Sequence, residues 1–124
     1  MPDIRKRVDQ TTVDRWAELS GDLNPLHVDP AFAATTRYGG TILHGHLTVA
    51  WIMEWALAHW GPEWIAAGEL DALRFLQPLR PGVEYVVTAA DVAGAHDTAA
   101  VTVLLPDGTP GITTTARLRG ASND

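Results

Sequence analysis

The chain has 124 residues, of which 46% are hydrophobic and 19% charged, values that fit one compact soluble domain. Its formal net charge of −6 argues against nucleic acid as a partner, and the absence of cysteine excludes disulfides, a thiolate nucleophile and a thiolate zinc site. The first ten residues are charged, and the longest apolar stretch, 47–57, is interrupted by Glu54 and too short for a bilayer. We therefore expect a cytoplasmic protein with no membrane partner.

The first predicted element is a short helix. Thr11 or Thr12 can act as its N-cap, because a threonine hydroxyl accepts a hydrogen bond from a free amide of the first turn. Gly21 is suited to end the helix in the left-handed conformation. The buried side is predicted to hold three apolar side chains, Val13, Trp16 and Leu19.

A polar loop and a second short helix follow. Residues 22–27 are predicted not to form a regular helix, because Pro25 lacks an amide hydrogen and moves Asn24 out of the α region. The pair Asp29-Pro30 is typical of a helix cap followed by proline in the first turn. This helix is predicted to end by Gly39-Gly40.

The third helix is the dominant one, with a predicted span from Gly45 to Trp60 before a stop at Gly61-Pro62. Apolar residues occupy nearly every face, a pattern typical of a buried helix. Glu54 within it is either an exposed edge residue or a buried hydrogen-bonding group, and the sequence does not decide between them.

Alternating apolar residues predict strands over 70–76, 83–92, 98–105 and 112–118, separated by turns rich in glycine and proline. Strands joined by such short turns form antiparallel sheets. The simplest packing arrangement is a curved sheet around the apolar helix. We therefore predict a single α+β domain over residues 1–124, with an antiparallel sheet wrapped around a long central helix.

Two polar clusters suggest chemistry. Asp22, Asn24 and His27 lie in the proline-containing loop, and His44 and His46 flank Gly45 at the start of the central helix. A carboxylate and an imidazole can exchange protons near neutral pH. The free amides at a helix N-terminus can stabilise a developing oxyanion. Addition of water to an unsaturated thioester requires these groups, although periodicity alone does not bring them together.

Each of these residues also has an ordinary structural interpretation. Asp22 can be a turn acid, His27 a surface histidine and Asp29 simply a helix cap. His44 and His46 form an H-x-H pair, which occurs in metal sites. With no cysteine and no obvious third ligand beyond His27, we predict that no metal is bound.

Residues 19–29, with the sequence LSGDLNPLHVD, resemble the signature loop of the MaoC-like (R)-specific enoyl-CoA hydratases. Residues 31–33 fit the short helix that follows in that family, and residues 41–45 resemble its second motif. A further segment resembles the strand and turn that come next in that family: Arg74, Phe75 and Leu76, with Pro78, Pro81 and Gly82. The resemblance covers about residues 15–92 in order, and its first motif is the more specific.

The resemblance implies a hotdog fold and a homodimer whose sheets join edge to edge. It implies that Asp22 and His27 form the catalytic acid–base pair, that the amide of Gly45 contacts the thioester oxygen, and that Asn24 has a supporting role. It also implies a trans-2-enoyl thioester substrate on coenzyme A or an acyl carrier protein, an (R)-3-hydroxyacyl product, and no cofactor.

Some positions depart from the family motifs. Met53 stands where some relatives carry a serine that supports the aspartate. His46 and the helix tryptophans are not part of the recognised motifs. We assign substrate binding to a set that includes some of these residues: Asn24, His44, His46 and Trp51.

Two other functions remain as alternatives. A hotdog acyl-thioesterase would use the aspartate to activate water against the carbonyl carbon, but the D-x-N-P-x-H loop argues against it. The chain could also be one subunit of a heteromeric hydratase for a bulky acyl-CoA, paired with a sibling hotdog chain. Because both Asp22 and His27 are present, it would then be the catalytic partner.

Overall fold

One antiparallel sheet and one long helix organise the protein in a computed structural model, which describes residues 2–120. The elements follow in the order β1 (Ile4–Lys6), α1 (Gln10–Ser20), α2 (Pro25–Val28), α3 (Pro30–Ala34), α4 (Gly45–Trp60), α5 (Glu63–Ala67), β2 (Gly68–Phe75), β3 (Tyr85–Val92), β4 (Ala95–Leu104) and β5 (Pro110–Leu118). Strand β1 and helix α5 were not predicted. The four predicted strands are present, and β4 begins three residues earlier than expected.

The five strands form one sheet in the order β1-β3-β4-β5-β2, and every pairing is antiparallel. Alternate residues of the central strands point to one face, where Val87, Val101, Val103 and Ile112 are buried. The same hydrophobic core contains side chains of α4. The predicted α+β architecture, with a sheet packed around one long helix, is therefore confirmed.

Helix α4 begins at Gly45 and ends at Trp60, as predicted. The prediction of burial on nearly every face is wrong, because Met53 and Leu57 are each 41% exposed. Glu54 is also exposed, and its carboxylate accepts a hydrogen bond from Lys6 of β1 at 2.7 Å. Within residues 2–120, no helix combines the length and the hydropathy needed to cross a membrane.

Side-chain caps determine where the short helices start. Asp9, rather than Thr11 or Thr12, caps α1 by accepting a hydrogen bond from the Thr12 amide at 2.8 Å. Asn24 caps α2 in the same way. The prediction that residues 22–27 form no regular helix is therefore wrong from Pro25 onward. Asp29 caps α3 as expected, although α3 ends at Ala34, well before the predicted glycine pair.

The buried side of α1 differs from the prediction. Val13 and Ala17 are fully buried, Trp16 is half-buried, and Leu19 is 83% exposed. Leu19 follows Ala17 by two residues, which places it about 200° away around the helix. Gly21 ends α1 in the predicted left-handed conformation, with φ of 81°.

Strand β2 lies at one edge of the sheet and pairs with β5. Its register shifts between Asp71 and Arg74, and Ala72 there has a positive φ of 51°. Leu73, within the shift, and Phe75, beyond it, leave 36% and 54% of their surfaces exposed. Such an apolar edge is unusual in a monomer, because its unpaired backbone groups can pair with another strand.

Candidate active site

The two polar clusters predicted from the sequence meet in space. The buried ring of His44 donates a hydrogen bond through Nε2 to the Asp22 carbonyl oxygen at 2.9 Å. The ring of His27 stacks on that of His44, with centroids 4.0 Å apart. The loop after α1 and the start of α4 are thereby joined into one site.

Local hydrogen bonds fix the carboxylate of Asp22. The turn begins where Gly21 ends α1, and Asp22 Oδ1 then accepts a hydrogen bond from the Asn24 amide at 3.3 Å. That hydrogen bond is the main cause of a lowered Asp22 pKa, and a further one from His46 adds to it, although partial desolvation opposes both. Asp22 is therefore ionised at neutral pH.

His27 presents one ring nitrogen to Asp22. Its Nδ1 lies 2.8 Å from the carbonyl oxygen of Ile42, which can only accept, so Nδ1 carries a proton. In the neutral ring, Nε2 then holds a lone pair, 4.0 Å from Asp22 Oδ2. This distance is too long for a direct hydrogen bond but allows both atoms to contact one water molecule.

Gln10 holds the backbone around His27. Its side chain donates a hydrogen bond to the His27 carbonyl oxygen at 2.8 Å and accepts one from the Thr41 hydroxyl at 2.7 Å. The first helix therefore fixes α2 against the segment that leads into α4. Periodicity does not predict this contact, because Gln10 and Thr41 are 31 residues apart.

His44 supports the site from within the core. Its side chain is 0% exposed, and this burial lowers its pKa, so the ring is neutral. Its Nδ1 has no hydrogen-bond partner within residues 2–120. Since His44 does not line the neighbouring cleft, its position fits a role in holding the Asp22 loop rather than the substrate contact we predicted.

The N-terminus of α4 is open toward the site. Gly45 is its first residue, so its amide has no acceptor within the helix, and within the described residues the preceding His44 makes no side-chain cap. The helix dipole makes this end positive. A Cβ atom at Gly45 would lie 3.2 Å from Phe75 Cζ, so glycine allows the aromatic ring to lie against the helix start.

A cleft of about 420 Å³ opens beside this helix end. His27 and Gly45 line it together with Thr48 and Phe75. The other lining residues come from the segment before α4 and from the sheet and its connections: Ile42, Leu43, Leu76, Gln77, Pro78, Leu79 and Ile112. Asp22 lies beside the cleft, with 40% of its side chain exposed. Asp22 and His27 are therefore at the junction of the cleft and the solvent.

Two other residues predicted to contact the substrate, Trp51 and Asn24, do not line the cleft. Trp51 is 5% exposed and packs in the core, with its ring 6.2 Å from that of Tyr85. Asn24 uses its side chain to cap α2. Arg37 and Tyr38, which line the cleft, interact through a 2.8 Å hydrogen bond and a guanidinium 4.9 Å from the ring centre.

His46 also approaches the carboxylate of Asp22. Its Nε2 is 3.3 Å from Asp22 Oδ2, and its Nδ1 accepts a hydrogen bond from the indole of Trp16 at 2.6 Å. Trp16 was predicted to lie on the buried side of α1 and was not connected with the site. A helical pattern predicts which residues face inward, but it does not predict contacts between helices 30 residues apart.

Asp22, His27 and His44 also have the residue types of a metal site, and one ligand atom from each lies within 4.8 Å of the others. One nitrogen of each ring donates to a backbone carbonyl oxygen, His44 through Nε2 and His27 through Nδ1. A metal at His44 Nε2 would displace the hydrogen bond that holds the Asp22 loop.

Sequence comparisons relate the chain to known proteins. Residues 2–105 match the family model described as the MaoC like domain. The chain is 52% identical over 44 residues to an (R)-specific enoyl-CoA hydratase of Aeromonas caviae, covering 36% of this chain and 33% of that protein. It is 32% identical over 94 residues to a 3-hydroxybutyryl-CoA dehydratase of Methylorubrum extorquens, covering 72% and 57%. The matches thus span a third to somewhat over half of these two relatives.

Solved structures extend the likeness over nearly the whole chain. The (R)-hydratase of A. caviae involved in PHA biosynthesis superposes with a TM-score of 0.71 at 28% identity, covering 94% of this chain and 92% of that one. An R-hydratase of Pseudomonas aeruginosa gives 0.73 at 24% identity, covering 95% and 79%. These superpositions confirm the predicted hotdog fold. With a family model that matches 104 of the 124 positions (residues 2–105), the chain belongs to the MaoC-like domain family.

Proposed function

We propose that this domain is a hydratase that adds water to the double bond of a trans-2-enoyl thioester, and that it catalyses the reverse dehydration. The observation that carries the proposal is the approach of Asp22 Oδ2 to His27 Nε2, at 4.0 Å, beside the open N-terminus of α4. The enoyl-CoA hydratase and hydroxyacyl-CoA dehydratase among its relatives support the same chemistry.

Asp22 and His27 are proposed to activate the water. Both present acceptors, a carboxylate oxygen and a ring lone pair, so one water molecule can donate a hydrogen bond to each. Its oxygen attacks C3 of the enoyl group as one proton passes to the pair. The same pair then returns a proton to C2, which completes the addition of one water molecule.

Gly45 is proposed to stabilise the charge that develops during this step. As water adds to C3, electrons move through C2 to the thioester oxygen and create an enolate. The unpaired amide of Gly45 and the positive end of α4 would stabilise that oxygen. The absence of a side chain at Gly45 allows the carbonyl group to come close.

The proposed product is an (R)-3-hydroxyacyl thioester, as the names of the (R)-hydratase relatives suggest. The proposed substrate is linked to coenzyme A or to an acyl carrier protein. Arg37 at the cleft is a cation that could contact a phosphate or phosphopantetheine group. No metal or redox cofactor takes part in this proposal.

The proposed active unit is a homodimer, or a pair with a sibling hotdog chain, joined through the edge of β2. The unpaired strand edge and the exposed apolar side chains of Leu73 and Phe75 support this arrangement. Since Phe75 also lines the cleft, a partner seated on β2 would contact one wall of the site.

The function is tested by the loss of enoyl absorbance with crotonyl-CoA and with longer and bulkier enoyl-CoAs. Asp22→Asn should lower kcat at least 100-fold, because an amide cannot accept the proton, while the Asx turn is kept. Asp29→Asn is the matched control: it lies in the same loop, and asparagine caps a helix as well as aspartate does, so its activity should remain normal.

Two results would contradict the proposal. Wild-type activity in Asp22→Asn would remove the carboxylate from the mechanism. Release of free thiol without loss of the double bond, followed with a thiol reagent, would identify a thioesterase instead.

A further inference from the structure

We propose that His46 is a positioning residue of the active site, fixed by Trp16 so that its Nε2–H holds the Asp22 carboxylate toward His27. The inference deepens the proposed function and rests on it. It assigns to His46 a role different from the substrate contact expected from the sequence, and it gives Trp16 a role outside the core.

The direction of the hydrogen bonds follows from their chemistry. An indole N–H can only donate, so the 2.6 Å contact from Trp16 Nε1 requires a lone pair on His46 Nδ1. In the neutral imidazole the proton must then be on Nε2, which lies 3.3 Å from Asp22 Oδ2. The ionised carboxylate can only accept. Trp16, His46 and Asp22 therefore form a chain in which every donor meets an acceptor.

The two rings also pack against each other. The rings of Trp16 and His46 are stacked, with centroids 5.8 Å apart and planes 26° apart. Trp16 lies on α1, and His46 is the second residue of α4. Helices position side chains more precisely than loops do, so this pair can hold the carboxylate of the Asp22 loop.

The carboxylate needs this support because it is partly open to solvent. Asp22 Oδ1 is held by the Asn24 amide, but Oδ2 faces His27 at 4.0 Å, a distance too long to fix it. With 40% of the side chain exposed, rotation toward water would separate the acid–base pair. His46 is the donor that reaches Oδ2 within hydrogen-bond distance in the described structure.

The His46 imidazole also lies outside the cleft. It is not among the residues that line the cleft next to His27, and 47% of its side chain is exposed. Loss of its hydrogen bond should therefore change turnover and leave KM nearly unchanged. A residue that contacted the acyl chain would change KM as well.

The first experiment compares three variants of the whole chain with crotonyl-CoA. His46→Leu removes the donor, and we expect kcat to fall about tenfold, since a hydrogen bond to a charged group contributes about 1.5 kcal/mol or more. His46→Gln keeps an N–H near the Nε2 position, and we expect kcat within about threefold of wild type. Trp16→Phe keeps an aromatic ring but removes the indole N–H donor, so His46 can adopt either neutral tautomer, and kcat should be intermediate. A matched His96→Leu variant, at an exposed position in β4, should have no effect.

Equal kcat values in wild type and His46→Leu would overturn the inference while leaving the hydratase assignment intact. An equally low kcat in His46→Gln and His46→Leu, with unchanged thermal unfolding temperatures, would also overturn it, because a donor at this position would then not matter. Absence of hydration in wild type with every enoyl-CoA would instead contradict the proposed function.

A second experiment does not depend on activity. Long-range ¹H–¹⁵N spectra of the histidine rings distinguish the two neutral tautomers. Wild-type His46 should be the Nε2–H tautomer, and Trp16→Phe should give a mixture. An Nδ1–H tautomer in wild type would overturn the inference whatever the kinetic result.

Discussion

His27 turns its Nε2 toward Asp22, at 4.0 Å, because its other ring nitrogen is bound to the carbonyl oxygen of Ile42. The loop that carries Asp22 is itself tied to α4 through His44. His27 thus faces the Asp22 carboxylate from the cleft, and His44 holds the Asp22 backbone from the core. The orientation of the site depends on backbone carbonyl groups that fix which nitrogen of each ring is protonated.

The first prediction distinguishes the structural role of His27 Nδ1 from the proposed catalytic role of His27 Nε2. Asparagine can reproduce an Nδ1–H donor but offers nothing at the Nε2 position. We therefore expect His27→Asn to keep the hydrogen bond to Ile42 and an unfolding temperature close to that of wild type, while kcat falls by about 10²–10⁴. Enoyl-CoA hydration and thermal unfolding measured on the same samples test this. A variant with substantial activity would show that the Nε2 lone pair is not required.

The second prediction concerns the start of α4. In Gly45→Ala the new methyl group would lie 3.2 Å from Phe75 Cζ, which is tight but can be relieved by a small ring shift. Alanine is favoured over glycine in a helix by about 1 kcal/mol, so we expect little loss of stability. The methyl group would also obstruct the thioester oxygen, and kcat/KM should fall about tenfold or more.

A double variant identifies the cause of that loss. If the Phe75 ring alone is responsible, Gly45→Ala with Phe75→Leu should recover the activity of Phe75→Leu. If the methyl group obstructs the oxyanion itself, the double variant should remain impaired. Gly40→Ala is the control, because its Cβ would meet only Arg80 Nη1 at an ordinary 3.5 Å.

The third prediction is a pH dependence of stability that comes from His44. Burial lowers the pKa of this ring below its ordinary value of about 6.5. The unfolded chain therefore takes up a proton below about pH 6.5 that the folded chain does not, and stability must fall as the pH drops through this window. Asp9, Asp22 and Asp107 have lowered pKa values, so their contributions are lost below about pH 4.

His44→Gln tests this assignment. Glutamine keeps an N–H donor for the Asp22 carbonyl oxygen but does not titrate. Unfolding temperatures measured between pH 4 and 6.5 should decline less in the variant than in wild type. An identical decline in both proteins would assign the effect to other groups.

The fourth prediction concerns assembly. Leu73→Lys places a charge on the exposed apolar edge of β2 and should shift the protein from a dimer toward a species with the 13.4 kDa mass of one chain. Val92→Lys is a matched control, since Val92 is 37% exposed and Leu73 is 36% exposed. Light scattering after size-exclusion chromatography measures both. A wild-type monomer, or a dimer unaffected by Leu73→Lys, would contradict assembly through this edge.

The sequence predicted the long-range architecture well because its signals were strong. Helix α4 has clear ends, with Gly61 as a stop, and the alternating strands after it can form only a sheet. Strand β1 was missed because its residues, Ile4–Lys6, are mostly charged, and it forms by pairing with Val87 and its neighbours. Such pairing is a tertiary effect that local propensity does not contain.

The residues of the candidate site were named from the sequence, but their arrangement was not predicted. Asp22, His27 and Gly45 were identified as a possible acid–base and oxyanion set, and the fold brings them together. The roles of His44 and Trp51 were harder to predict, because helical spacing does not separate a residue that lines a cleft from one that packs behind it. The same ambiguity applies to Trp16.

The position of the cleft has a consequence for how such a domain can diversify. Every polar group proposed to take part in the reaction comes from one continuous stretch, residues 16–46. Much of the opposite wall is provided by Phe75, Leu79 and Ile112, which come from the sheet and its connections. Substitutions in that wall can reshape the acyl pocket without disturbing proton transfer. The same set of polar groups can therefore be combined with many pocket shapes, and the substrate range can change while the reaction stays the same.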